Sequence, residues 1–171
     1  MTEKLIVLTL SGLEAAHLTD LVEQFRELVA DTNATDSGDP AVARLVPNAY
    51  RDDDDASAEF RRLTESDLLD RRRDEADTVL ASLAINGRPV RPGDVDRVDA
   101  EEERTITLDP NATGAWLRTL AAIRLVLASR LDIRHEDDFD GDDPRFGIYA
   151  WLGARLEGLV GALDDDTPLR G

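Results

Sequence analysis

The sequence predicts a mainly α fold: a helical bundle around one central buried helix over residues 110–131, with a small two-stranded β element formed by 5–10 and 104–108. Two observations carry this. In the stretch Asp109 to Leu131, placed at ~100° per residue, Trp116, Leu117, Leu120, Ala121, Ile123, Leu127, Ala128 and Leu131 fill one arc, while Ala122, Leu125 and Val126 leave little of the remainder polar. A helix of that kind has to be covered on several sides. Secondly, the only short stretches with strand character, Leu5 to Leu10 and Thr105 to Leu108, each run directly into a helix start. At 171 residues the chain is long enough to remove roughly two-thirds of its unfolded surface from water, so a single domain over 1–171 is expected.

Taken in order, Ser11-Gly12-Leu13-Glu14 reads as a capping box, in which the serine hydroxyl and the glutamate three residues on satisfy first-turn amides. Leu18, Leu21, Val22, Phe25, Leu28 and Val29 then recur at helical spacing, giving a helix over 12–30. His17 lies at the edge of this stripe and His135 in a distant acidic loop, so the two histidines make no metal site. Between Asp31 and Asp55, Asn33, Gly38, Pro40 and Pro47 punctuate a segment that still holds Leu45, Val46 and Tyr50, which reads as an ordered connection. Within it, Asp39 is placed to cap a short turn starting at Pro40. The four carboxylates Asp52 to Asp55 lack interleaved ligands and a glycine turn, and read as a solvated helix N-terminus rather than a cation site.

Phe60, Leu63, Leu68, Leu69, Ala76, Val79, Leu80 and Leu83 predict two consecutive helices, the second restarting at Thr64 with Asp67 and running over 65–84. Arg71, Arg72 and Arg73 are neutralised by Asp67, Asp70, Asp74, Glu75 and Asp77 within one to four residues. Residues 86–103, with Asn-Gly, two prolines and a glutamate run, are expected to form a flexible loop. Asp109-Pro110 opens the central helix as N-cap and N1 proline. This start echoes the N-terminus at a shift of 98 residues: Leu8 matches Ile106, Ser11 matches Asp109, Leu18 matches Trp116, Val22 matches Leu120, Phe25 matches Ile123 and Arg26 matches Arg124. The echo is either two strand-helix units with paired strands or the chance likeness of two amphipathic helices.

In the loop Asp132 to Asp143, Glu136, Asp138, Asp140 and Gly141 match the start of a calcium loop, but Pro144 and Gly147 stand where further ligands belong, so no metal is expected. Asp143-Pro144 instead caps a last helix over 144–163, with Ile148, Tyr149, Leu152, Leu156, Leu159, Val160 and Leu163 on one face. Gly147, Ala150, Ala154, Gly158 and Gly161 gather on the other. Each interior glycine costs roughly 0.5–1 kcal/mol relative to alanine, so this flat face points to close approach of another helix, within the chain or across a homodimer through Ala154, Gly158 and Gly161, the dimer being expected, with a glycine-rich composition as the alternative.

The functional classes narrow by exclusion. Formal net charge is −17, from 37 acidic and 20 basic residues, which opposes binding to nucleic acid or anionic membranes. Cysteine is absent, which removes disulfides, thiolate zinc sites and cysteine nucleophiles and fits a reducing compartment. The N-terminus shows no cleavage pattern, and its apolar run is about half the ~20 residues that span a bilayer, so a cytoplasmic location is expected. No Gly-x-Ser-x-Gly, phosphate loop or paired catalytic residues occur, so an enzyme is not favoured and no cofactor is expected. The one residue out of place is Arg124, a charge in the middle of the apolar arc. It is expected to be buried and held by a carboxylate, with Glu59, Asp39 and Glu157 as candidate partners, or else to anchor an acidic ligand together with Arg44.

The order of several short stretches carries a resemblance. Asp39-Pro40, Arg44-Leu-Val-Pro-Asn-Ala-Tyr50, Glu59-Phe-Arg-Arg62, Trp116-Leu117 with Arg124-Leu125 and Arg130-Leu131, and Tyr149-Ala-Trp-Leu152 resemble an uncharacterised actinobacterial family, a domain of unknown function commonly encoded beside the ClpS adaptor of the Clp protease. The resemblance implies a small helical cytoplasmic protein with a neighbourhood link to regulated proteolysis. This chain departs from the family pattern at Ala121-Ala122, where a polar Asn-Asp pair is usual, and at Ala128-Ser129, which replace Gly-Thr. The function expected is therefore a non-enzymatic interaction or regulatory protein with a protein partner such as the Clp machinery. The alternatives are an acidic-ligand binder using Arg124 and a carboxylate-based enzyme.

Overall fold

The computed structural model of the chain describes residues 3–30, 39–46 and 54–164, with side chains from 63 onward in the last segment. Strand β1 (Ile6–Ser11) leads into α1 (Gly12–Ala30), then come α2 (Pro40–Leu45), α3 (Asp54–Leu83), α4 (Arg97–Glu101), β2 (Glu103–Leu108), α5 (Pro110–Arg130) and α6 (Gly147–Asp164). The mainly α expectation holds, as does the pairing of the two strands. They run antiparallel, from Ile6 opposite Leu108 to Ser11 opposite Glu103, and Leu8 lies directly across from Ile106.

That register gives the 98-residue echo a physical meaning. An antiparallel ladder centred on Leu8 and Ile106 relates the two strands by a local two-fold axis, so residues 98 apart occupy equivalent places. The equivalence continues into the helices. Ser11 Oγ accepts from the Glu14 amide at 3.1 Å and Asp109 Oδ1 from the Ala112 amide at 2.7 Å, the same offset in each unit. Leu18 and Trp116, Val22 and Leu120, Phe25 and Ile123 are buried pair by pair.

Both α1 and α5 pack on α3, and α5 is also covered by α2 and α6. The central helix is as closely surrounded as its composition requires: Thr113, Ala115, Trp116, Thr119, Leu120, Ala122, Ile123 and Ala128 are all buried. One long helix replaces the two expected between 56 and 84. No glycine or proline interrupts that stretch, so nothing in the backbone forces a stop at Thr64, and beyond it Glu65, Leu69, Ala76, Val79 and Leu83 form one buried stripe. The stretch 86–103, expected as a loop, carries short ordered elements. An Asn86-Gly87 turn with both φ angles positive closes the Ile85 to Arg88 bridge, a 3-10 turn spans Pro92–Asp94, and α4 packs on α1. No helix among the described residues is long and apolar enough to cross a membrane.

Candidate functional site

The site forms where the central helix stops. The Ile133 amide donates to the Ala128 carbonyl at 2.8 Å and the Asp132 amide to the Ser129 carbonyl at 3.3 Å, while Asp132 adopts a left-handed φ of 57°. This doubled bond pattern satisfies the last carbonyls of α5 and folds Ile133 back on Ala128. The chain then makes a 3-10 turn, Glu136–Asp138, whose Asp138 carboxylate accepts from the Arg134 and His135 amides at 2.9 and 3.0 Å. Those two amides, Arg134 first, hold the Asp138 carboxyl below its ordinary range. A second 3-10 turn, Pro144–Phe146, is capped by Asp143 and feeds α6, as the Asp143-Pro144 signal suggests.

A small aromatic cluster results, separate from the main core. Ala128, Ile133 and Phe146 are buried together against Leu131 and Tyr149, and the Phe139 ring lies 5.8 Å from both Phe146 and Tyr149. Between this cluster, α2 and the outer side of α5 opens a cavity of about 600 Å³. Its apolar wall includes Leu125, Ala128, Ile133, Phe139 and Tyr149, and its charged groups are Arg44, Arg124, Arg134, His135 and Glu136. Four of these five are basic or can become so, in a chain whose net charge is −17.

Arg124 is the centre of the arrangement. It is half-buried, and its guanidinium lies 4.1 Å from the centroid of the Tyr149 ring while Nε donates to the Tyr149 carbonyl at 3.4 Å. Gly153, one turn on from Tyr149 in α6, also comes close: a side chain there would stand 3.0 Å from Nη2 and 3.1 Å from Nε. The expectation of a buried arginine bound by a carboxylate is therefore corrected. Among the described residues no carboxylate pairs with Arg124; a ring face, a carbonyl and the open cavity take the place of one.

The remaining expected site residues are placed as follows. Arg44, on α2, is exposed at the cavity and has no carboxylate partner among the described residues. Asp39 caps α2 through the Ala41 amide at 2.9 Å and takes a two-pronged bond from Arg130 at 2.9 and 2.7 Å, so it serves Arg130 rather than Arg124. That fork, opposed by partial burial and aided by the Ala41 amide, keeps the Asp39 carboxyl below its ordinary range. Glu157 is exposed, and the Glu59 side chain lies outside those described. Ala154, Gly158 and Gly161 are exposed, with open space where a side chain would stand at either glycine. On the apolar face of α6, Leu152 and Leu159 are buried as expected, but Ile148, Val160 and Leu163 face outward.

What the spacing of residues did not reveal is the partnership of Arg124 with Tyr149 and Gly153 and the approach of Arg134 and His135. These lie on separate elements, and Gly153 is one small residue among several in α6.

The fold and site define a mainly helical protein whose candidate site sets a stacked arginine and further basic groups around an apolar-walled cavity. The chain belongs to the family described as domain of unknown function (DUF2017), which matches residues 1–163. It is similar to proteins named oxidative stress regulator AosR, from Mycobacterium bovis (strain ATCC BAA-935 / AF2122/97) and from Mycobacterium tuberculosis strains CDC 1551 / Oshkosh and ATCC 25618 / H37Rv. Each is 30% identical over 141 residues, covering 72% of this chain and 57% of the relative, so the chain spans a little over half the length of these relatives. No solved structure matches the chain.

Proposed function

We propose that this protein is a cytoplasmic regulatory protein that acts by binding a protein partner and not by catalysis. The observation that carries the reading is the similarity, over most of the chain, to proteins named as regulators. The acidic surface supports a protein rather than a nucleic-acid partner, because a net charge of −17 repels polyanions. If the oxidative-stress role of those relatives extends to this chain, the signal reaches it through a partner or ligand. Its 171 residues hold no cysteine, and the single methionine is Met1.

The finer setting we propose is Clp-dependent proteolysis, in line with the family resemblance, and self-association through the outer face of α6. That face combines the exposed Ala154, Gly158 and Gly161 with the outward Val160 and Leu163. Affinity capture with the tagged full chain in an actinobacterial cell tests the setting. Recovery of Clp subunits or the ClpS adaptor, and their loss on competition with untagged protein, is the expected result; repeated capture of neither removes the Clp link. Light scattering at micromolar concentration tests the dimer, which a monomer mass rejects.

A further inference from the structure

We propose that the cavity beside Arg124 is a binding site for a small organic acid, with an anionic head on Arg124 and Arg44 and a flat apolar body against Phe139, Tyr149 and Leu125. The site stands apart from the partner reading above: a ligand can bind here whether or not the protein captures a partner.

Arg26, Arg91, Arg118, Arg130, Arg145 and Arg155 each meet a carboxylate, as the acidic composition makes easy. Among the described residues Arg124 and Arg44 meet none, as is also true of Arg71, Arg72, Arg88, Arg97 and Arg104, but Arg124 and Arg44 are the two that line one cavity together. A guanidinium carries five N–H donors, and Arg124 directs only Nε at a protein acceptor, at the long distance of 3.4 Å. The Tyr149 ring and the bare backbone of Gly153, one turn apart on α6, both lie against the planar fork and limit its freedom. A fork fixed in this way loses little freedom on meeting a carboxylate, the geometry it matches best. Arg134 shares its charge with Asp132 at 3.0 Å and adds to the rim, with His135 beside it.

Size and lining choose the ligand. The volume of about 600 Å³ falls within the usual ~300–1,000 Å³ range of small-molecule sites. The wall is apolar and partly aromatic, so an inorganic anion would leave it unfilled and an uncharged body would leave the arginines unpaired. Glu136, also on the lining, opposes an anion and limits the affinity. A singly charged head on an aromatic or branched apolar body answers all three features.

The test is titration of the isotope-labelled full chain, followed by amide NMR, with three probes: benzoate, benzyl alcohol and inorganic phosphate. Benzoate is expected to saturate with a Kd of about 1 mM or tighter, shifting Ile133, His135 and Tyr149, with the other two at least about tenfold weaker. Arg124→Met and Arg44→Met each weaken benzoate by about tenfold or more, since each removes a charged donor. Glu136→Gln tightens it, a change of sign that lost folding cannot imitate. Arg91→Met, which breaks the distant pair with Glu23, leaves it unchanged. Absence of saturation by benzoate, equal binding of benzyl alcohol or phosphate, no gain from Glu136→Gln, or an equal loss in Arg91→Met overturns the proposal.

Discussion

Replacing Gly12 by alanine puts a methyl where the chain has no room. At the first position of α1 that methyl would stand 1.9 Å from the Asp99 carbonyl oxygen and 3.0 Å from its carbon. Ordinary contact needs about 3.5 Å, so α4 would have to retreat by about 1.5 Å. The obstacle is backbone, which cannot swing aside. The same residue ties the two segments together, because the Gly12 amide donates to the Glu102 carbonyl at 2.8 Å. A retreat of that size breaks the bond, at about 0.5–1.5 kcal/mol, and the overpacking adds about 1–3 kcal/mol. We expect Gly12→Ala to destabilise the fold by about 2–4 kcal/mol.

Urea titration measures this directly, and hydrogen exchange should show residues 97–103 losing protection more than α5 does. The comparison is Gly158→Ala. Nothing of the same chain stands within 4 Å of the added methyl in α6, so in an isolated monomer alanine there should raise stability by about 0.5–1 kcal/mol through helix propensity alone. A Gly12→Ala loss below about 0.5 kcal/mol refutes the docking of α4 on α1. A destabilising Gly158→Ala would mean that another molecule covers α6 in solution, as the proposed dimer requires.

Leu120→Ala removes a fully buried side chain from the middle of α5 and should cost about 2–5 kcal/mol in the same assay, with less than half a kcal/mol excluding a central role for that helix. Thr119→Val should stabilise by about 1 kcal/mol, because the Thr119 hydroxyl is buried without a hydrogen-bond partner among the described residues, whereas Thr19 bonds the Ala15 carbonyl and should lose stability on the same change. Asp39→Asn keeps a capping oxygen but removes the charge facing Arg130. Since the folded Asp39 carboxyl titrates below its unfolded range near 3.9, its contribution is complete above about pH 4 and lost as pH falls through the folded value. The penalty, about 0.5–1 kcal/mol at pH 7, should therefore vanish in acid, and a penalty independent of pH contradicts the ion pair.

Local signals were the legible part of the sequence. Ser11 with Glu14, Asp39 with Pro40, and Asp109 with Pro110 mark helix starts because capping is settled within three residues, and each cap is found bonded as its type demands. The central helix was legible because its apolar residues leave no other place for it than the middle. Less was legible of α3, where a capping-type pair at Thr64 suggests a restart that the helix does not make, since no glycine or proline stops it there and an uninterrupted hydrogen-bond ladder avoids a second nucleation. The site was legible only as an anomaly. Charge in an apolar arc identifies Arg124, but the Tyr149 ring and carbonyl that meet it lie 25 positions away on another helix and the cavity beside it is walled by a loop as well, and periodicity carries no information across separate elements.

The two-fold relation between the strand-helix units explains where that anomaly had to fall. Arg26 and Arg124 are equivalent positions, and Arg26 behaves as an arginine in an acidic protein should, pairing with Asp77 of α3 at the surface. Arg124 lies on the unit that carries additional structure: the stop at Leu131 to Ile133, the aromatic cluster and α6 all follow α5. Those additions replace an ion pair by the Tyr149 ring and Gly153 and open a cavity beside it. Repetition builds the scaffold and its core, where equivalent positions are buried alike. The proposed ligand site falls where the second unit departs from the first, so substitutions that restore the equivalence, such as an acidic residue able to reach Arg124, should abolish benzoate binding without disturbing the bundle.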